Sequence, residues 1–478
     1  MDRPQRNHPS TIISQTFKYI KGNFFIFIPM ILNNEILVSI AIGAGICMLM
    51  AIYSILVWYT KKFYLKENML YYQTGIISKK VLTLSKDNIS TIDIGQSFLQ
   101  RSIGIYRLKV DSGSTTFGKA EVDIVLNKER IDYIKSVIET TTDPKIQKAN
   151  TVQDKERSKE FKCTNRELFI LALTKNKLGL IVTLIVSSFT FLDDLLDTLK
   201  LDISKYVDKY FNIEDVIKKS MGELVVFSIQ LFTVIYILSF IVSVIVTFIR
   251  YYNFIIYEQD NKLNIQYGLI SLKKYTLPIK NIQAIKLKQT LINQWFKQYK
   301  VEVVTAGYGD EEKEEAIFYP LTDKGKLNIL IDTLITNFKF ENIELKYPPK
   351  KARKRFFIFP VIFSIVIFLV ISFIFHKAVF IFMFMPIIIF SCYMEYRNNT
   401  MGYDERIFYG SFGAFSKTSI IIKMNSVQSI TETTNYFQRK MGVCNYKIDF
   451  YSSKLIDILA IKNMHRYHFR DIEKNIEF

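Results

Sequence analysis

The chain has 478 residues, 49% of them apolar, and a formal charge of +18 from 63 Lys and Arg against 45 Asp and Glu. A mean hydropathy of +0.14 is too high for an ordinary soluble enzyme, while 23% charged residues are too many for a bare membrane bundle, which leaves a protein of mixed membrane and aqueous parts. A basic surplus beside long apolar runs favours an anionic membrane surface over nucleic acid, and the isolated Cys47, Cys163, Cys392 and Cys444 form neither a disulfide framework nor a zinc spacing.

In chain order, residues 1–60 read as a helical hairpin with no removable signal peptide. Phe24 to Leu32, FFIFIPMIL, crosses a hydrocarbon core of roughly 30 Å only by recruiting residues from its Thr11 to Tyr19 side, whereas Ile36 to Trp58 is long enough alone. Asn33, Asn34 and Glu35 supply the turn between them. Residues 61–140 then alternate in short segments broken by Glu67-Asn68, Gly75, Asp87-Asn88 and Gly104. That is the spacing of antiparallel strands, and Ile131, Ile134 and Ile138 close the unit with an amphipathic helix. A polar linker follows at 141–165.

The plan then restarts. Residues 166–250 hold a second hairpin, with a short run from Leu178 to Leu192 and a long one from Val225 to Ile249. Between them, the segment 193–223 repeats Leu196, Leu199, Ile203, Tyr206 and Tyr210 at helical spacing and reads as an amphipathic element on the outer membrane face. A second β unit spans 251–340, a basic linker 341–355, a third hairpin 356–394 and a third β unit 395–478.

One stretch recurs without a gap in all three β units: GIISKKVLTLSKDNISTI from Gly75, GLISLKKYTLPIKNIQAI from Gly268 and GAFSKTSIIIKMNSVQSI from Gly413. The shared glycine marks a turn that needs positive φ. Ile89 and Ile92, with their counterparts, belong to the core. Lys and Arg cluster at the entrances to the β units, at Lys61, Lys62, Arg250, Lys350 to Arg355 and Arg397, so the positive-inside rule assigns the N-terminus and all three β units to the cytoplasm. The fold class is therefore membrane α-helical plus β, with six predicted transmembrane helices in three hairpins, each followed by a cytoplasmic β unit.

Around the repeat, Gly75-Ile-Ile-Ser-Lys-Lys, Asn88-Ile-Ser-Thr-Ile and Gln96-Ser-Phe-Leu-Gln-Arg-Ser-Ile-Gly104 resemble the bacterial pleckstrin-homology-like domain of the YdbS/YdbT membrane proteins. Gln289-Thr-Leu-Ile-Asn-Gln and Asn435-Tyr-Phe-Gln-Arg-Lys-Met-Gly442 carry the likeness through the second and third units. Two departures stand out: Lys297 replaces Gly104 and Gly442, and Thr434 replaces Gln96 and Gln289. The resemblance implies that each β unit is a pleckstrin-homology-like sandwich or barrel, two packed antiparallel sheets capped by a C-terminal helix, in a membrane protein without assigned catalysis. It also implies a smaller single-domain relative as a protein partner, and roles in envelope stress or antimicrobial-peptide resistance.

Candidate contact residues are basic. Lys79, Lys80, Lys273, Lys274 and Lys417 follow the repeated glycine, and Lys350, Lys351, Arg353, Lys354 and Arg355 form the strongest run. Each Lys or Arg near an anionic leaflet adds on the order of 1 kcal/mol, so these residues suit lipid headgroups or an acidic partner. No Gly-Lys-Ser/Thr phosphate loop, Gly-x-Ser-x-Gly elbow or His-Glu-x-x-His motif occurs, and His465 and His468 lack a completing carboxylate or cysteine. The expectation is a non-catalytic scaffold with no cofactor, binding anionic lipid and protein but no nucleic acid. The alternative is a resistance or export component acting on an antimicrobial peptide in the bilayer.

Overall fold

The computed structural model describes residues 4–23, 36–66, 69–85, 89, 91–112, 122–139, 159–174, 221–305, 316–340, 343–374, 381–451 and 457–474. These form two compact units, one of residues 1–162 with 253–478 and one of residues 163–252.

The larger unit opens with a helix, Ser10–Gly22, packed on a second, Ile36–Thr60, with Tyr19 and Tyr53 meeting edge to face at 5.4 Å. Directly after it come the strands of the first β unit: β1 (Lys62–Lys66), β2 (Met69–Thr74), β3 (Lys80–Ser85), β4 (Thr91–Gln96), β5 (Ile105–Asp111) and β6 (Val122–Asn127), followed by a helix, Lys128–Glu139. Alternation along the strands sends Phe63, Leu70, Leu84, Leu108, Val110 and Ile124 into one core, where Ile131, Ile134 and Ile138 of the helix also pack.

The second β unit begins within the stretch read as linker. Phe161–Lys162 forms a two-residue strand, β7, beside β8 (Ile255–Gln259). It continues with β9 (Lys262–Tyr267), β10 (Leu272–Pro278), β11 (Ile282–Gln289), β12 (Gln298–Thr305) and β13 (Ala316–Asp323), then a helix, Lys324–Leu334. A helix pair, Arg353–Ile374 and Met385–Asn398, leads to the third unit. Its strands are β14 (Thr400–Tyr403), β15 (Ile407–Phe412), β16 (Lys417–Lys423), β17 (Val427–Thr433), β18 (Val443–Phe450) and β19 (Asp457–His465), closed by His468–Lys474.

The sheets do not stop at the repeat boundaries. A three-stranded sheet β1-β2-β3 is followed by a seven-stranded one ordered β6-β5-β4-β10-β9-β8-β7, a six-stranded one ordered β13-β12-β11-β16-β15-β14, and a three-stranded sheet β17-β18-β19. With the two-residue β7 left out of the numbering, the fourth strand of the first and second β units thus pairs antiparallel with the third strand of the next, β4 with β10 and β11 with β16. Sequence reading separates three β units. The backbone joins them into one body.

In the smaller unit, Asn165–Thr174 packs against Met221–Tyr251, with Phe169 and Phe240 edge to face at 5.8 Å and the Ser243 hydroxyl donating to the Ala172 carbonyl at 3.0 Å. Among the described residues, three helical stretches are long and apolar enough to cross a membrane: Ala41–Thr60, Phe232–Tyr251 and Lys350–Ile374, with mean hydropathies of 2.1, 2.6 and 3.0. The short runs expected at 24–32 and 178–192, and most of the segment 193–223, lie outside the described residues.

Candidate interaction sites

The repeated stretch is the hardware of the sheet joins. Gly75, Gly268 and Gly413 have φ of 108°, 116° and 100°, and a Cβ there would sit 1.9, 1.9 and 2.1 Å from the carbonyl oxygen of Ser78, Ser271 and Ser416. No L side chain fits, so the glycine is a requirement of the turn. The turn delivers the following strand to its neighbour at one fixed register. Gln96 and Gln289, each 21 residues after their glycine, face Leu272 and Lys417, each four residues after the next glycine.

Past the fourth strand the chain makes a short capped helix. Ser97 and Asn435 form capping boxes with Gln100 and Gln438, and Thr290 accepts from the Asn293 amide. The helix ends on a left-handed residue: Gly104 at φ 74°, Gly442 at 66° and Lys297 at 52°. Lys297 therefore keeps the backbone of the glycines it replaces. The second departure is also accommodated. Gln96 and Gln289 are buried and donate to the carbonyls of Ile105 and Gln298 at 2.9 Å, whereas the Thr434 hydroxyl reaches the equivalent carbonyl of Val443 at 3.4 Å.

These helices reach the next repeat. The Arg101 guanidinium donates to the carbonyl of Leu269, one residue after Gly268. At the second join Gln294, the residue equivalent to Arg101, donates to the carbonyls of Ala414 and Phe415 at 3.0 and 3.2 Å. Buried Asn398 ties both sides together, donating to Gln294 Oε1 at 2.9 Å and to the Gly413 carbonyl at 3.0 Å.

The predicted basic residues divide. Lys79 and Lys80 are exposed, Lys80 opening the outermost strand of its sheet. Lys273 and Lys274 are half-buried within β10, opposite Gly95 and Ile94, and Lys417 is half-buried opposite Gln289. Burial first, and then Arg397, pushes the Lys417 pKa down. Three of the five lysines thus line internal joins and only two form an open patch. In the basic linker Lys350, Lys351, Arg353 and Lys354 are exposed at the foot of the apolar helix. Arg355 instead donates to Asn463 Oδ1 and Asn435 Oδ1, both at 3.2 Å, and fixes the helix to the third β unit.

A polar cluster at the end of the third unit carries no sequence motif. Tyr403 accepts from Lys346 Nζ at 2.6 Å, lies 3.1 Å from His468 Nδ1 and donates to Asp471 Oδ2 at 3.3 Å. Burial of His468, with Lys346 and His465 nearby, lowers its pKa to about 4 against the opposing Asp471, so the ring is neutral at neutral pH. His465 and His468 rings lie 6.3 Å apart, and no group of His, Cys, Asp and Glu fit to hold a metal ion occurs among the described residues. In the first unit, Arg107 grips Asp123 through both oxygens at 2.7 and 2.6 Å. Burial would raise that carboxyl pKa, but Arg107 outweighs it and holds it low.

Apolar helices beside repeated, end-capped antiparallel sheets define a membrane protein built on pleckstrin-homology-like units, and the chain belongs to the bacterial PH domain family, whose model matches residues 22–140, 211–334 and 356–476. It is similar along nearly its whole length to the UPF0699 transmembrane protein YdbT of Bacillus subtilis (strain 168): 24% identical over 491 residues, covering 97% of this chain and 96% of the relative. The chain has no match among solved structures.

Proposed function

We propose that the protein is a non-catalytic scaffold of the bacterial plasma membrane, crossing it with six helices in three hairpins and holding its N-terminus and PH-like units in the cytoplasm, where they associate with anionic lipid and with protein. The observation that carries this reading is the placing of basic charge. Lys350, Lys351, Arg353 and Lys354 stand where an apolar stretch with mean hydropathy 3.0 begins, and Lys61, Lys62 and Arg250 stand where the other two end. In each of the three the end adjoining a β unit in sequence is basic, as the positive-inside rule requires of cytoplasmic ends.

The fused sheets support a scaffold reading because continuous strand pairing ties the three units together and suits them poorly to act as separate ligand-binding modules. A smaller single-domain relative remains the kind of protein partner the family suggests, through strand addition at a sheet edge. A reporter fused after Lys205 tests the topology: external activity is expected, and a cytoplasmic reporter overturns it. Lysine labelling of the full chain in nanodiscs tests lipid contact. Lys350, Lys351 and Lys354 should label more slowly in anionic than in neutral bilayers, with the difference lost at high salt. Equal labelling in both removes the lipid role.

A further inference from the structure

Two strands that make joins elsewhere in the chain are left at sheet edges here. β3 is the terminal strand of β1-β2-β3, and β17 the terminal strand of β17-β18-β19. Among the described residues, β3 is a third strand with no fourth strand beside it, and β17 is a fourth strand with no third. Their side chains are correspondingly bare. Thr83 is exposed, whereas its counterparts Thr276 and Ile421 are 7% and 0% exposed, and Ile430 is half-buried, whereas Ile92 and Ile285 are 8% and 0%. Ile77 in the first turn is fully exposed, against about 40% for Ile270 and Phe415 in the turns that are engaged. An open strand edge is a template for another strand, and here each edge matches the other.

We infer that β17 of one copy of this chain joins β3 of a second copy, extending between molecules the same sheet join that the chain makes twice within itself. The occupant is a second copy because one chain presents both halves of the contact, and because the new interface continues an arrangement already formed at β4 with β10 and β11 with β16. The common register specifies the pairing: Thr433 opposite Lys80, Glu432 opposite Val81, Thr431 opposite Leu82 and Ile430 opposite Thr83. A second contact follows from the same equivalence. Arg439 occupies the place of Arg101 and Gln294, is exposed, and would donate to the Ile76 carbonyl of the other copy. The contact is head to tail, so it propagates into a ring or a row. This inference concerns the sheet edges alone and does not rest on the membrane topology.

Two differently tagged full-length chains co-expressed in native membranes test it, one carrying Thr433→Cys and the other Lys80→Cys. Mild oxidation should give a disulfide adduct containing both tags and absent from the unsubstituted chains. Moving the second cysteine to Val81, whose side chain faces the other side of the sheet, should lower the yield at least about tenfold. Arg439→Ala should reduce the adduct about tenfold at limiting concentration, as for one lost charge-assisted hydrogen bond. No adduct, equal yields from Lys80→Cys and Val81→Cys, or capture of a different protein by Thr433→Cys would each overturn the inference. An adduct indifferent to Arg439→Ala would overturn the turn contact.

Discussion

Gly268→Ala is the sharpest perturbation of the joined sheets. At φ 116° an alanine occupies a backbone region costing roughly 1–3 kcal/mol. Its Cβ would also lie 1.9 Å from the Ser271 carbonyl oxygen, a backbone atom that cannot swing aside as a side-chain end would. The turn must open, and β10 then loses its register against both β9 and β4. The combined cost should be at least about 3 kcal/mol. Gly325→Ala in the same β unit is the control, because its Cβ meets nothing nearer than Asp323 Oδ1 at 3.5 Å and lies in a helix that alanine favours by roughly 0.5–1 kcal/mol. Denaturant unfolding of the full chain in detergent should therefore move in opposite directions for the two variants. Hydrogen exchange adds a spatial test: Gly268→Ala should speed exchange at Ile92 and Ile94 of β4, in the preceding repeat, as well as in β10. A stability change within about 0.5 kcal/mol of wild type, or faster exchange confined to residues 253–338, would refute the shared sheet.

Lys297→Gly should stabilise the chain by about 0.5–1 kcal/mol, since the native φ of 52° suits glycine; a lower unfolding midpoint would contradict the left-handed assignment. The buried neutral His468 makes stability depend on pH. Its folded pKa of about 4 lies below the ordinary 6.5, so the unfolded chain binds the extra proton. Its contribution is complete above about pH 6.5 and falls away down to about pH 4, by on the order of 2 kcal/mol. His468→Gln should flatten that part of the pH profile, and an unchanged slope would count against it. Arg107→Ala should cost roughly 1 kcal/mol and raise the Asp123 pKa, measurable by carboxylate NMR titration.

Much of this fold is legible in the sequence because its signals are local. The glycine at 75, 268 and 413 announces a backbone angle, and the Asn435 to Gly442 segment announces a capped helix with a left-handed stop. The strand partners are not legible in this way. Nothing in the residues of β4 distinguishes pairing with β3 from pairing with β10, because alternation fixes which side chains point inward and is silent on which edge lies alongside. The basic residues illustrate the same limit. Lys79 and Lys273 occupy near-equivalent places in the repeat, yet one is exposed and the other lies in a join, purely because no preceding repeat supplies a strand to the first turn. Arg355 was indistinguishable from its neighbours until Asn435 and Asn463, some 80 and 108 residues away, came into reach. Phe161–Lys162 is too short for any periodicity to reveal.

The uniform register of the two joins bears on how such a chain lengthens or shortens over generations. Removing the middle hairpin and β unit together would set β4 against β16 with the spacing already in use, and inserting another would add one more equivalent seam. Either change leaves the outermost strands as they are. The number of repeats is thus free to drift without exposing a new surface or inventing a new contact, while any alteration to the glycine turn is felt at every seam that copies it.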